Sequence, residues 1–379
     1  MKSTIPSGLR TWIEIETKAI AHNYKLFRNW IKKDTKLMAV VKSNAYGHSL
    51  HDFAKEMEKL GADWLGVDSV IEGLSLRKIG IKIPILVMGY TLPELYKDAV
   101  EADISLTISH YEALNALLGL KLSKKAKVHI KVDTGMTRQG FLISEQNKLI
   151  ANLLENKSSL IIEGLFTHFA AAKNPAFPKE TNAQIKEFEL WRDVFIKAGF
   201  KPLCHSSATS GALIFKNAEY DMVRIGIGMY GLWPSAEAKA YAEDKMPLIP
   251  ILTWKTIVSE VKTVTKESAV GYDFTETISA GTRIAILPIG YWHGYPRALS
   301  SLGSVLIHGQ KARVIGRVCM DMMICDVTEI KDVVVGDGVV VLGKGGELEI
   351  SAEYLSNIIS ASWYELVTRI NPLIKRIYL

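Results

Sequence analysis

Between about residues 36 and 230, short apolar runs alternate with stretches whose apolar residues recur at helical spacing. The runs are "KLMAVVK", "ADWLGVD", "IPILVMG", "ISLTIS", "KVHIKVD", "IEGLFTH", "PLCHSS" and "MVRIGIG". Between the first two, "HSLHDFAKEMEKLG" sets Leu50, Phe53, Ala54, Met57 and Leu60 at helical intervals and ends on Gly61, a residue suited to a left-handed helix stop. The runs are continuously apolar rather than alternating, which is the pattern of parallel strands covered on both faces. Repeated β-α-β units of this kind predict an α/β architecture, a (β/α)8 barrel, with a doubly wound open sheet as the alternative.

A polar stretch, "PSAEAKAYAEDKMP" at 234–247, precedes a change of texture. Beyond it β-branched runs such as "TWKTIVSEVKTVT", "SVLIHGQKARVIGRV" and "DVVVGDGVVVLG" are broken by Gly and Asp turns, and predict a mostly antiparallel β domain. The last apolar pattern, "SAEYLSNIISASWYELVTRI", predicts a closing helix with Leu355, Ile358, Ile359 and Leu366 on related faces. The expected division is therefore a barrel over 1–240 and a β domain with a terminal helix over 241–379, the first strand, near 11–16, joining the β domain.

Composition narrows the functional classes. The chain has 379 residues, 48% of them hydrophobic, and a formal charge of +6 that is spread without a lysine- or arginine-rich block, so neither disorder nor nucleic-acid binding is expected. The three cysteines Cys204, Cys319 and Cys325 form neither a disulfide framework nor a paired metal motif. No apolar core of a secretory signal follows the first methionine, and no run has membrane-spanning length. The expected setting is the cytoplasm, without membrane or metal.

In a (β/α)8 barrel the reacting groups lie on loops after the strands. Here those positions carry Lys42; Lys131, Asp133 and Arg138; His168; His205 to Ser210; and Arg224 with Gly226 and Gly228. Cations outnumber acids, which suits an anionic ligand such as a phosphate, and glycines allow close approach of backbone N–H groups. Each residue also has a plain structural alternative. Lys42 can snorkel to the rim, His168 can be a satisfied core residue, and Arg138 and Arg224 can pair with Asp133 or Asp221. A desolvated Lys42 would instead be a nucleophilic amine.

Six motifs then carry a resemblance that runs almost from end to end: "AVVKSNAYGH" (39–48), "HIKVDTGMTRQG" (129–140), "THF" (167–169), "DMVRIGIGMYG" (221–231), "LPIGYWHGYPR" (287–297) and "VCMDMM" (318–323). In these the chain resembles alanine racemase, a family of pyridoxal 5'-phosphate enzymes built from a (β/α)8 barrel and a C-terminal β domain. The resemblance implies interconversion of L- and D-alanine, supplying D-alanine for peptidoglycan. It implies that Lys42 holds the cofactor and acts as one catalytic base, with Tyr272 in "AVGYDFT" as the other. His168 and Arg224 match the residues that connect that tyrosine to the cofactor's ring nitrogen. Tyr46, Ser210, Tyr364, Gly226 and Ile227 match phosphate-binding positions, Arg138 and Met320 match substrate-carboxylate positions, and Lys131 matches a lysine carbamylated in some members. It also implies a homodimer whose sites are shared between subunits.

The chain departs from the family pattern in "YGHS" for "YGHG", "ATSGA" (208–212) for "ANSAA" and "GYWHG" (290–294) for "GYADG". None removes a base; Thr209 and Trp292-His293 alter the pocket and its entrance. The alternative functions are a pyridoxal-phosphate-dependent amino-acid decarboxylase and a non-catalytic cofactor-binding barrel.

Overall fold

The structure, a computed structural model, describes residues 6–379. The described chain packs as two units, one formed by 18–45 and 50–249, the other by 6–17 together with 46–49 and 250–379. The chain therefore leaves the first unit just after Ala45 and re-enters it at Leu50. Strand β1 (Thr11–Ile15) belongs to the second unit.

The first unit is the expected barrel. Its strands are β2 (Lys36–Val40), β3 (Trp64–Val67), β4 (Ile85–Val87), β5 (Ser105–Ile108), β6 (Ala126–Lys131), β7 (Leu160–Phe166), β8 (Leu203–His205) and β9 (Met222–Ile225). They hydrogen-bond in parallel in the order β8-β7-β6-β5-β4-β3-β2-β9. The seam between β8 and β9 is closed by Asp221 N–H to Cys204 O at 3.0 Å and Arg224 N–H to Ser207 O at 3.0 Å. This closure excludes the open doubly wound sheet. β3, β4 and β5 are buried at every position, as their unbroken apolarity predicts. The helix Leu50–Leu60 presents Phe53, Ala54 and Met57 inward and stops at Gly61, whose φ is +93°.

In the second unit the remaining strands are β10 (Leu252–Ile257), β11 (Glu260–Thr263), β12 (Ser268–Val270), β13 (Glu276–Ile278), β14 (Arg283–Leu287), β15 (Ser304–Ile307), β16 (Gln310–Ile315), β17 (Met323–Asp326), β18 (Gly338–Gly345), β19 (Leu348–Ile350) and β20 (Arg376–Tyr378). All but β12 and β13 share one sheet with β1. It is antiparallel except where β20 runs parallel to β1. β12 and β13 form a separate hairpin that carries Tyr272 at its tip.

The closing helix differs from the pattern. Two short helices, Ala352–Ile358 and Trp363–Thr368, replace one long one, with Ser360 at φ +53° between them and Ser362 capping the second. The intervening residues contain neither Gly nor Pro, so the apolar periodicity runs on through the break. The polar stretch near 240 likewise contains a helix, Ala236–Ala242, capped by Ser235.

Candidate active site

Lys42 lies two residues beyond the end of β2, and its Nζ is 3.5 Å from Asp68 Oδ1 beyond β3. The turn after it is unusual. Ser43, Asn44, Ala45 and Tyr46 all have φ between +51° and +56°, so four consecutive L-residues adopt the left-handed conformation. Each such residue costs about 1–2 kcal/mol, and the turn needs local anchors. They are Glu72 Oε1, which accepts from Ser43 N–H at 2.7 Å, and Asn44 Oδ1, which accepts from Leu50 N–H at 2.9 Å. The other Glu72 oxygen accepts from Asp68 N–H at 2.8 Å. One carboxylate thus ties down both the lysine's turn and the acid that meets its amine. Ser49, where the family pattern has glycine, also lies at φ +84°.

After β6, Asp133 organises the loop that carries Arg138 by accepting from the backbone N–H groups of Gly135, Met136, Thr137 and Arg138 at 2.8–3.1 Å. Burial pushes its carboxyl up, but those four bonds outweigh burial and leave it below the usual range. Arg138 itself is exposed, makes no ion pair among the described residues, and lines a cavity of about 510 Å³ with Asp133, His110 and Gln139. Lys131 is buried, donates to Gln139 Oε1 at 3.2 Å and has its pKa lowered to about 8, first by burial and then by Arg138, Arg224 and Lys42.

Arg224 is the electrostatic centre. It is buried and makes no ion pair among the described residues. Its Nη1 donates to His205 Nδ1 at 2.7 Å and His205 O at 3.0 Å, and its Nη2 to Thr167 O and Ser206 O, both at 2.8 Å, and to His168 Nδ1 at 3.3 Å. Every acceptor is neutral. The Nε–H alone has no partner among the described residues. Burial lowers the guanidinium pKa to about 9, so it is charged at neutral pH. Because arginine only donates, His168 and His205 must receive through Nδ1 and carry their protons on Nε2. Burial, Arg224, Arg138, Lys131 and Lys42 together lower the His168 pKa to about 3, which keeps that ring neutral and its Nε2–H available as a donor.

On the loops after β8 and β9, the Ser210 hydroxyl has no partner among the described residues, while Gly226 N–H is taken by Thr209 Oγ1 at 3.2 Å. Ile227 opens a 3-10 turn, so its N–H has no partner within that turn. Gly228 serves packing: a Cβ there would stand 2.4 Å from the Phe27 ring.

In the second unit, Tyr46 and Tyr364 come together with ring centroids 6.2 Å apart, and burial raises both hydroxyls, Tyr46 to about 12. Gly47 lies so close to Val367 O that a Cβ would stand 2.1 Å from it. Tyr272 and Met320 are 67% and 52% exposed. Around them Phe274, Tyr291, Trp292 and Met322 are exposed as well, Trp292 N–H donating to Met320 O and Arg317 pairing with Asp273.

The barrel therefore brings together Lys42, Lys131, Arg138, His168, Ser210, Arg224, Gly226 and Ile227, and the second unit holds Tyr46, Tyr272, Met320 and Tyr364. The sequence reading passed over Asp68, Glu72, His129 and Glu163. His129 had a signal, since it stands two residues before Lys131 on one strand and so shares its face. An anionic, aromatic cofactor with an aldehyde fits these residues. The site offers a primary amine at the rim, the Ser210 hydroxyl and an arginine that, among the described residues, faces no acid and keeps one N–H without a partner, and a surplus of positive charge.

Comparison with known proteins agrees with this geometry. Residues 15–234 match the family described as "Alanine racemase, N-terminal domain", and residues 251–378 match "Alanine racemase, C-terminal domain". The chain is 39% identical over 375 residues to the alanine racemase of Symbiobacterium thermophilum, covering 98% of both chains. It is 38% identical over 371 residues to that of Methanococcus maripaludis, covering 97% of this chain and 98% of the relative. Among solved structures, alanine racemase from Clostridium difficile superposes with a TM-score of 0.92 at 32% identity, covering 98% of this chain and 96% of that one. The Bacillus anthracis alanine racemase with bound L-Ala-P gives the same TM-score and identity over 99% and 96%. With both domain families matched in order and relatives aligned over nearly the full length, the chain belongs to the alanine racemase family, whose enzymes depend on pyridoxal 5'-phosphate.

Proposed function

We propose that Lys42 and Tyr272 are the two bases of alanine racemisation, one on each face of the α-carbon. The observation that carries this reading is the mouth of the barrel: a rim amine after one strand and, after another, a buried guanidinium with a single N–H left uncommitted among the described residues. When bound, pyridoxal phosphate withdraws electrons from the α-carbon so that its proton can be removed at neutral pH. Lys42 would hold the aldehyde carbon, and Arg224 the ring nitrogen through its Nε–H. Ser210, Tyr46, Tyr364 and the Ile227 N–H would hold the phosphate, and the Gly226 N–H would join them by exchanging Thr209 Oγ1 for a phosphate oxygen. Arg138 and the Met320 N–H would orient the substrate carboxylate. His168, neutral and donating from Nε2, is suited to stabilise the phenolate of Tyr272 as that base works.

Tyr272 is exposed at a hairpin tip within a surface of aromatic and methionine side chains, which supports a second copy of this chain as its cover. The proposed enzyme is thus a two-fold homodimer, each site taking Lys42 from one chain and Tyr272 from the other. A lowered pKa leaves Lys131 partly neutral near pH 8. Its amine can then add carbon dioxide, forming an N–C bond and releasing a proton, and the resulting carbamate would pair with Arg138. The three free thiols fit a reducing cytoplasm, where D-alanine would feed peptidoglycan synthesis. Among the described residues no helix is long and apolar enough to cross a membrane.

The test is incubation of the purified protein with pyridoxal phosphate and L-alanine, followed by chiral separation. D-alanine approaching an equal mixture is the expected product. Carbon dioxide and an amine would instead identify a decarboxylase, and unchanged L-alanine a binding protein.

A further inference from the structure

The hydrogen bonds of Arg224 continue away from the mouth. His205 receives from the guanidinium at Nδ1, and its Nε2 lies 2.9 Å from His129 Nδ1. With the His205 proton fixed on Nε2, that atom donates, His129 Nδ1 accepts, and the His129 proton is placed on its own Nε2. That nitrogen is buried without a hydrogen bond of good geometry, and the Glu163 carboxylate stands 3.5 Å away. Glu163 is itself bonded by the Ser105 hydroxyl. All donors in the chain point one way, from a cation at Arg224 to an anion at Glu163, across two neutral rings that are both fully buried.

The backbone is shaped for this arrangement. The pairing of β6 with β7 shifts register between Val128 and His129, which brings His129 opposite Gly164. A Cβ on Gly164 would lie 2.1 Å from His129 Nδ1, so only glycine admits the ring there. Phe166 stacks on the His205 ring, 4.7 Å between centroids and 4° from parallel, and holds its plane. The charge states agree: burial holds both histidines below their usual pKa, and at Glu163 burial is outweighed by His129 and Ser105 together with the charge of Lys127, which keeps it ionised.

We propose that Glu163 is the remote counter-ion and positioning residue of Arg224, acting through His129 and His205. Among the described residues Arg224 has no acid against it, and Glu163 supplies the opposing charge at two removes while locking both imidazoles as acceptors toward the arginine. The consequence for chemistry rests on the placement of Arg224 against the cofactor's ring nitrogen. A guanidinium deprived of its counter-ion is a stronger acid and shares its proton more with that nitrogen. More electron density would then leave the reacting carbon, favouring transamination, in which water supplies the carbonyl oxygen of pyruvate and the amino group of alanine stays on the cofactor.

The holoenzyme with isotopically labelled imidazole nitrogens tests this directly. In the wild type, the signals of His129 and His205, assigned by their loss in His129→Phe and His205→Gln, should show neutral rings protonated on Nε2. Glu163→Gln retains an acceptor oxygen without charge, so the tautomers should persist while the ratio of pyruvate to racemised alanine rises roughly tenfold. Glu163→Leu should raise the ratio further and send His129 into a mixture of tautomers. A proton on Nδ1 of either wild-type ring overturns the relay, and so does an unchanged product ratio in folded Glu163→Gln. The tautomers are read without turnover, so failure of the racemase reading and failure of the relay are separate results, and the wild-type measurement stands if Glu163→Leu does not fold.

Discussion

Glu72→Ala tests how the lysine is held. Its carboxylate accepts from Ser43 N–H at 2.7 Å and Asp68 N–H at 2.8 Å, fixing a turn of four left-handed residues and the acid beside Lys42. A hydrogen bond to a charged group contributes about 1.5–3 kcal/mol, and two would sum to about 3–6 kcal/mol. Glu72 is only half-buried, so water can replace the carboxylate at both N–H groups, and about 2 kcal/mol is the reasonable net loss. For a unit of this size that corresponds to a fall in Tm of roughly 4–8 °C. The functional loss should be larger than the loss of stability, because displacement of a reacting group by about 1 Å can cost on the order of a hundredfold in rate. Thermal unfolding of the holoenzyme and steady-state racemisation are the assays, with kcat falling and KM for alanine nearly unchanged. If Tm moves by less than about 1 °C and kcat is retained, the turn is held by other contacts and the role given to Glu72 is wrong.

Ser49→Gly should relieve the left-handed strain at φ +84° and raise stability by up to about 1 kcal/mol, read as a higher Tm; a lower Tm would mean that the serine's own contacts matter more than its backbone. Ser210→Ala should weaken pyridoxal phosphate binding by about tenfold, measured by equilibrium dialysis, through loss of one bond to a charged phosphate. Lys131 titrates at about 8 folded against 10.5 for the free side chain, so the folded state binds fewer protons between those values and stability should rise with pH across that window. Lys131→Met should flatten that rise, and labelled carbon dioxide should add to wild-type Lys131 but not to the variant.

The barrel was legible because its strands are covered on both faces, which writes them as unbroken apolar runs such as "ADWLGVD" and "IPILVMG". Lys42, Lys131, His168 and Arg224 were legible because strand ends in such a fold face one mouth. The left-handed turn was not. Asn44 tolerates that conformation, but Ser43, Ala45 and Tyr46 have no local preference for it, and Glu72 anchors it from 29 residues away. Glu163 was hidden in "IEGLFTH", where an acid inside an apolar run carries no periodic signal. Its meaning depends on a register shift at His129 that only the paired strands reveal. The closing helix was read too long because nothing in "NIISASW" marks the break at Ser360.

Mixing two inactive variants tests the paired bases and their origin in two chains at once. Lys42→Ala and Tyr272→Ala homodimers should each be nearly inactive. After subunit exchange half the dimers should be mixed, each with one site holding both bases, so racemisation should recover to roughly a quarter of the wild-type rate if association is random. Activity that stays at the level of the separate variants would contradict the account, because every site would then lack one base whichever chains had paired.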